Sequence, residues 1–330
     1  MECFLLSSLP NFVVMVYVIL LVSLIGIVYG ADYLVAGSVS IARRYRVSDF
    51  VIGAAIVGVG TSMPELVVSF IGSLKGNADV AIGNVVGSNI FNILGILGLT
   101  ALLFPIKITR ENIRFELPLC IGVSVLLTLL VFNPLHLRNH IISRMDGVLL
   151  LLCFALYMWY SFYRERKHAK DAEIDIDEDR IPLWKSVLAV IGGLTMLIVC
   201  CDIFVDNAVS VARSFGVSDA FISLTLIACG TSLPEFAASL SAALKKNTQL
   251  ALGNIIGSNV FNITWILGLS AQVMPLNTSG ITLIDYLVMI VAAIVPYILG
   301  IWGKIGRFAG LVMFLGFIAY TVYLLKVQGV

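Results

Sequence analysis

Gly60-Thr-Ser-Met-Pro-Glu65, followed by Gly83-Asn-Val-Val-Gly-Ser-Asn-Ile-Phe-Asn92, returns 170 residues later as Gly230-Thr-Ser-Leu-Pro-Glu235 and Gly253-Asn-Ile-Ile-Gly-Ser-Asn-Val-Phe-Asn262. Residues 30–106 align with 200–276 without a gap, and about 34 of the 77 positions are identical, so the chain carries an internal duplication. The match reaches beyond the signatures to Asp32 and Asp202, to Arg43 and Arg213, and to Val47-Ser-Asp49 and Val217-Ser-Asp219. Each copy sets a glutamate, Glu65 or Glu235, inside a long apolar stretch. A charged side chain at the centre of a bilayer costs about 2.5–3.5 kcal/mol on insertion scales, so such a carboxylate is a functional candidate by default.

The surroundings of the two signatures are those of a membrane. Apolar residues make up 59% of the chain and charged residues 12%, too little polar surface to cover a water-soluble domain. Apolar runs long enough for an α-helix to cross a bilayer recur near residues 12–39, 49–74, 79–104, 116–133, 146–163, 183–211, 219–244, 249–275, 281–301 and 306–326, which predicts an all-α polytopic membrane protein of ten transmembrane helices. The runs are continuous and do not alternate, which excludes a β-barrel. Lys and Arg gather in short cytoplasmic loops. With the N-terminus outside, about 16 of the 21 basic residues fall inside, and only Lys75, Arg138, Arg144, Arg213 and Lys326 fall outside. The expectation is a multi-pass protein of the cell membrane with both termini outside. The start lacks a basic n-region and a clear cleavage site, so the first span is expected to stay. A net charge of +1 implies nothing about nucleic acid, and no obligate protein partner is evident. The six cysteines form no Cys-x-x-Cys pair and read as small buried hydrophobes.

Each half holds five spans, an odd number, so the second copy enters the membrane inverted relative to the first. Inverted repeats are a design of secondary transporters, with binding sites near the midplane between repeats. The domain reading is a first five-helix repeat over 1–163, a cytoplasmic linker over 164–182, and a second, inverted repeat over 183–330. Asp175-Ile-Asp177-Glu-Asp179 in the linker hints at a calcium-binding loop, but Arg180 stands at the required glycine position, so the segment reads as a solvated linker.

Pro64 has no N–H, so helical bonding to the carbonyls near Gly60 and Thr61 is expected to break, with a second half-helix beginning at Pro64 and Glu65; Pro234 and Glu235 repeat the arrangement. Irregular backbone at this depth is tolerated where it lines a cavity, and freed carbonyls then become ligands. Ser88 and Asn92, like Ser258 and Asn262, are four residues apart and share a helix face. Gly83 and Gly87, like Gly253 and Gly257, let a neighbouring backbone approach. Ca²⁺ takes 6–8 oxygen ligands. Two bidentate carboxylates with the carbonyls of Thr61 and Thr231 supply about six, and two negative charges match one Ca²⁺. Transition metals prefer His or Cys, and His136, His140 and His168 fall in expected loops. Asp32 and Asp202 read as helix-to-helix hydrogen-bonding groups, Asp49 and Asp219 as caps.

At these residues the chain resembles the sodium/calcium exchanger family, within the larger cation/Ca²⁺ exchanger superfamily, in its prokaryotic form. The resemblance lies in the paired Gly-Thr-Ser-x-Pro-Glu and Gly-Asn-x-x-Gly-Ser-Asn-x-x-Asn signatures. It implies that Glu65, Glu235, Thr61 and Thr231 hold Ca²⁺. One flanking Na⁺ site would draw on Ser62, Ser88 and Glu65 with the backbone at Gly58, and its counterpart on Ser232, Ser258 and Glu235 with the backbone at Ala228. Asn92 and Asn262 would face the central site. Members usually exchange three Na⁺ for one Ca²⁺ by alternating access, and the two ions are transported, with no cofactor implied. Potassium-dependent and archaeal relatives tend to have aspartate where this chain has Asn262, which argues against potassium dependence. The proton/calcium branch typically places a glutamate soon after the Gly-Asn pair, and none stands here.

The functional expectation is therefore an antiporter of Na⁺ and Ca²⁺ and not an enzyme. A proton/cation antiporter using the same carboxylates and a potassium-dependent exchanger are the near alternatives, and an ion channel is a more distant one. An intramembrane hydrolase finds no His-Glu-x-x-His and no Gly-x-Ser-x-Gly.

Overall fold

The computed structural model describes residues 2–132, 141–168, 182–214, 228–277 and 281–327. The first half comprises α1 (Glu2–Tyr45), α2 (Asp49–Thr61), α3 (Met63–Leu74), α4 (Ala78–Leu103), α5 (Asn112–Val131) and α6 (Arg144–His168). The second comprises α7 (Leu183–Ser214), α8 (Ala228–Gly230), α9 (Leu233–Leu244), α10 (Thr248–Val273), α11 (Leu283–Gly300) and α12 (Arg307–Val327). Among the described residues, eight helices are long and apolar enough to cross a membrane, or nine when α2 and α3, bent by 48°, count as one span. The expected span 219–244 begins outside the described residues, and α8 and α9 are its described part.

Helices α4 and α10 form the centre. Ile82, Val85 and Ile90 on α4, with Leu252, Ile255 and Ile256 on α10, are fully buried, because other helices surround this pair on every side. At the margin α1 and α7 lie along each other on glycines: a Cβ added to Gly30 would sit 2.8 Å from the Leu197 backbone nitrogen, a close approach that small residues permit in membrane helix pairs. Short antiparallel strands tie the halves together, β1 (Ile106–Lys107) to β4 (Lys304–Ile305) and β2 (Ile141–Ile142) to β3 (Leu276–Asn277).

The sequence reading needs correction near the expected linker. Helix α6 runs on to His168, so Arg164 and Glu165 are not solvated linker residues. Arg164 pairs with the buried Glu116 at 2.8 Å, and Glu165 accepts from the Ser48 backbone N–H and hydroxyl at 2.9 and 2.8 Å. Residues 169–181 lie outside the described set. The cap of α2 is Ser48, whose Oγ accepts from the Val51 N–H at 3.3 Å, and Asp49 occupies the first turn instead; a hydroxyl one residue earlier reaches the open N–H groups that Asp49 has already passed. Asp219 lies outside the described residues, as do His136 and His140. Asp32 does bond helix to helix, accepting from Ser241 Oγ at 2.6 Å and pairing with Lys245 at 2.9 Å, whereas Asp202 is exposed. Cys120 and Cys201 are buried free thiols.

Candidate cation site

The helix break forms where Pro64 requires it. Helix α2 ends at Thr61, Ser62 leaves the helical region at φ −81°, ψ 11°, and α3 starts with Pro64 in its first turn. Pro64 brings no N–H for the Gly60 carbonyl, and across the break the Leu66 N–H bonds to the Ser62 carbonyl at 3.1 Å. Ser232 (φ −90°, ψ 7°), Pro234 and Glu235 build the same break ahead of α9. Both glutamates, with Thr61, Ser62 and Ser232, are 0% exposed. Three widened π turns, Gly53–Gly58, Phe91–Leu97 and Asn262–Ile266, flank these breaks. Apolar periodicity does not register a single widened turn, so the sequence reading missed them, although such turns favour functional sites.

The serines reach across the repeats. Ser62 Oγ donates to Glu235 Oε1 at 2.7 Å, and Ser232 Oγ donates to Glu65 Oε1 at 2.9 Å. Ser258 Oγ donates to the Gly58 carbonyl at 3.2 Å. The flanking sets expected from resemblance are therefore mixed: Gly58 and Ser62 stand with Ser258 and Glu235, while Ser232 stands with Glu65. The cause is backbone contact between α2 and α10. A Cβ on Gly53 would lie 2.5 Å from the Leu250 carbonyl, and one on Gly257 2.6 Å from the Ala54 Cβ, so α2 of the first repeat is seated on α10 of the second. Ser88 is 2% exposed and its Oγ has no partner among the described residues. Ala228 begins α8, and its side chain lies outside the described set, as do residues 220–227.

Asparagines complete the site, and of the six positions they occupy the sequence reading used only Asn92 and Asn262. Asn84 Nδ2 donates to the Glu65 carbonyl at 3.2 Å and to Ser69 Oγ at 3.0 Å, and its Oδ1 accepts from Thr231 Oγ1 at 3.5 Å. Asn254 does the same with the Glu235 carbonyl, Ser239 and Thr61 at 3.0, 2.7 and 3.2 Å. Asn92 Nδ2 donates to Asn259 Oδ1 at 3.0 Å and Asn262 Nδ2 to Asn89 Oδ1 at 3.1 Å. Asn84, Asn89, Asn254 and Asn259 lie inside the quoted signatures, and their recurrence at the repeat offset was the signal that could have found them. The turn holding Asn92 packs against α9, and the turn holding Asn262 against α3, the helices that carry the glutamates.

The two carboxylates interact electrostatically, and neither has a cationic side chain as partner among the described residues. Glu65 Oε2, Glu235 Oε2, Asn92 Oδ1, Asn262 Oδ1 and Ser88 Oγ are buried oxygens without hydrogen-bond partners. Such orphans are rare in folded proteins and call for an explanation. Two unpaired carboxylates in a dry interior are costly until a cation arrives. Among the described residues no group of three or more His, Cys, Asp or Glu gathers, so the donor set is two carboxylates and neutral oxygens, the chemistry of hard cations.

The sequence matches the model of the sodium/calcium exchanger protein family over residues 15–163 and 185–326. It is 38% identical over 319 residues to the putative antiporter CaxA of Alkalimonas amylolytica, covering 93% of this chain and 98% of that protein. It is 30% identical to the sodium/calcium exchanger MaX1 of Methanosarcina acetivorans, again covering 93% and 98%. Among solved structures, the sodium-calcium exchanger NCX_Mj soaked with 2.5 mM Na⁺ and 1 mM Sr²⁺ superposes with a TM-score of 0.81 at 31% identity, over 94% of this chain and 98% of that one.

Proposed function

The chain belongs to the sodium/calcium exchanger protein family, and from that premise we propose that it is an antiporter coupling Na⁺ influx to Ca²⁺ extrusion across the cell membrane. The observation that carries the reading is the set of buried, unpartnered oxygens drawn from both repeats, Glu65 Oε2, Glu235 Oε2, Asn92 Oδ1 and Asn262 Oδ1. With the second oxygen of each carboxylate and the freed carbonyls of Thr61 and Thr231, they offer the 6–8 oxygens that Ca²⁺ takes. Na⁺ would use overlapping atoms in two flanking sets, Gly58 carbonyl, Ser62, Ser258 and Glu235, and Ala228 carbonyl, Ser232, Ser88 and Glu65.

Competition for the same carboxylates supplies the coupling. A site with two bare negative charges resists passage through the membrane interior, and either Ca²⁺ or Na⁺ neutralises it. The architecture in this proposal is ten helices in two inverted five-helix repeats, 1–163 and 183–330, joined by a cytoplasmic linker, with both termini outside; the duplication and the positions of the basic residues support it. A stoichiometry of three Na⁺ to one Ca²⁺ moves one net charge per cycle, worth about 2.3 kcal/mol per 100 mV.

The test is ⁴⁵Ca²⁺ uptake into proteoliposomes loaded with Na⁺, K⁺ or acid. Uptake that needs internal Na⁺ and vanishes in Glu65→Gln and Glu235→Gln is the expected result. Uptake driven by acid without Na⁺ would replace Na⁺ by protons as the coupling ion.

A further inference from the structure

The proposed chemistry needs Asn92 and Asn262 to offer oxygen to a cation, yet an amide can equally present its NH₂ group. The end that faces the ion is decided by what holds the other end. Asn262 Nδ2 is held by Asn89 Oδ1, and Asn92 Nδ2 by Asn259 Oδ1. Asn89 and Asn259 cannot turn over in response, because their own Nδ2 groups donate across the helix pair, Asn89 to the Asn259 carbonyl at 3.2 Å and Asn259 to the Asn89 carbonyl at 3.1 Å. None of the four is more than 1% exposed, so no bulk water competes for these bonds. Both acceptor carbonyls lie just before α4 and α10 widen into π turns, where the helix redistributes its own bonds and a side-chain donor from outside finds a place.

We propose that Asn89 and Asn259 are positioning residues that lock the Asn262 and Asn92 amides with their carbonyl oxygens toward the transported cation. The proposal rests on the cation-site reading above. Asn89 and Asn259 do not touch the ion; they act through Asn262 and Asn92. An amide turned over would set the positive end of an NH₂ dipole against a divalent cation and remove one oxygen from the donor set.

A purely bracing role, holding α4 against α10, makes a different prediction. In an Asn262→Asp variant, position 262 presents oxygen in either orientation, so an orienting partner has nothing left to orient while a brace still has helices to hold. The experiment is Ca²⁺ titration by calorimetry of purified protein carrying Asn89→Ala, Asn262→Asp or both, with Asn259→Ala and Asn92→Asp as the mirror set. Asn89→Ala alone is expected to weaken Ca²⁺ binding about tenfold or more. In the Asn262→Asp background the same change is expected to shift affinity by no more than about twofold. Equal losses in both backgrounds would overturn the proposal, as would normal affinity in Asn89→Ala. Failure of Asn89→Ala and Asn259→Ala to yield monodisperse protein in either background would overturn it too, since orientation alone does not govern folding. Glu65→Gln titrated alongside keeps the two readings apart: if it still binds Ca²⁺ normally, the cation site itself is misplaced, and if it does not bind while Asn89→Ala is normal, only the positioning role fails.

Discussion

Ser258 and Ser88 hold the same place in the two signatures and have different surroundings. Ser258 gives its hydroxyl to the Gly58 carbonyl, on a half-helix seated backbone to backbone on α10, while Ser88 Oγ has no partner among the described residues. Closer to the centre the repeats cannot be told apart: Ser62 and Ser232 cross to opposite glutamates, and Asn84 and Asn254 repeat each other bond for bond. The difference teaches that equal places in a duplicated sequence need not have equal surroundings, because the partner each serine finds depends on how the helices meet.

The most severe way to break the comparison is to neutralise one carboxylate at a time. Glu65→Gln and Glu235→Gln are each expected to lower Ca²⁺ uptake by more than about 100-fold, since even outer partners of metal ligands cost 10–100-fold when lost. Comparable losses would support a centre shared equally between repeats. A variant retaining most of its transport would mean that the other glutamate carries the ion alone.

Next come the serines that cross the repeats. Ser62→Ala and Ser232→Ala each remove a hydroxyl that donates to the opposite carboxylate and are expected to raise the apparent KM for Ca²⁺ about tenfold. The crossing itself is tested by pairing: Ser62→Ala should add little to Glu235→Gln in Ca²⁺ binding, while independent additivity would restore the within-repeat grouping.

Much of this was legible in the chain, and what was not has a common cause. The breaks at Pro64 and Pro234 follow from one missing N–H, a local property, and lie where expected. The pairing of Ser62 with Glu235, of Ser258 with Gly58, and of Arg164 with Glu116 depends on how the helices meet, and neither repeat contains that information by itself. Resemblance grouped Gly58 with Ser88; in the structure the Gly58 carbonyl accepts from Ser258 of the second repeat.

A smaller effect should separate Ser258 from Ser88. Ser258→Ala deletes a buried hydrogen bond and is expected to cost about 1 kcal/mol of stability in cation-free protein, whereas Ser88→Ala deletes no bond to the described residues and should leave stability unchanged. Thermal unfolding in detergent without Na⁺ or Ca²⁺ reads the difference. Both variants should raise the Na⁺ concentration needed for half-maximal exchange, because each removes one expected Na⁺ ligand. Equal destabilisation would mean that Ser88 gains a partner equivalent to the Gly58 carbonyl.

The finest difference lies in the turns that follow the two glutamate helices. After α3 the chain reverses through Lys75, Gly76 and Asn77, and after α9 through Lys245, Lys246 and Asn247. The bonds match: Asn77 and Asn247 N–H groups reach Gly72 and Ala242 carbonyls, both at 2.9 Å, and each asparagine then caps the next helix. The middle residue is left-handed in both, Gly76 at φ 75° and Lys246 at φ 60°, as a helix ending of this kind requires. A side chain in that conformation costs about 1–2 kcal/mol, which glycine escapes, while glycine's freer unfolded chain returns about 0.4–1 kcal/mol of the gain. Lys246→Gly is therefore expected to stabilise the protein by up to about 1 kcal/mol, with Ca²⁺ uptake unchanged, since the exposed Lys246 is remote from the buried oxygens. Gly76→Lys should lose a similar amount. A fall in unfolding temperature for Lys246→Gly would show that the lysine side chain contributes a contact worth more than the strain it brings, and the two turns would then differ in more than the residue at their centre.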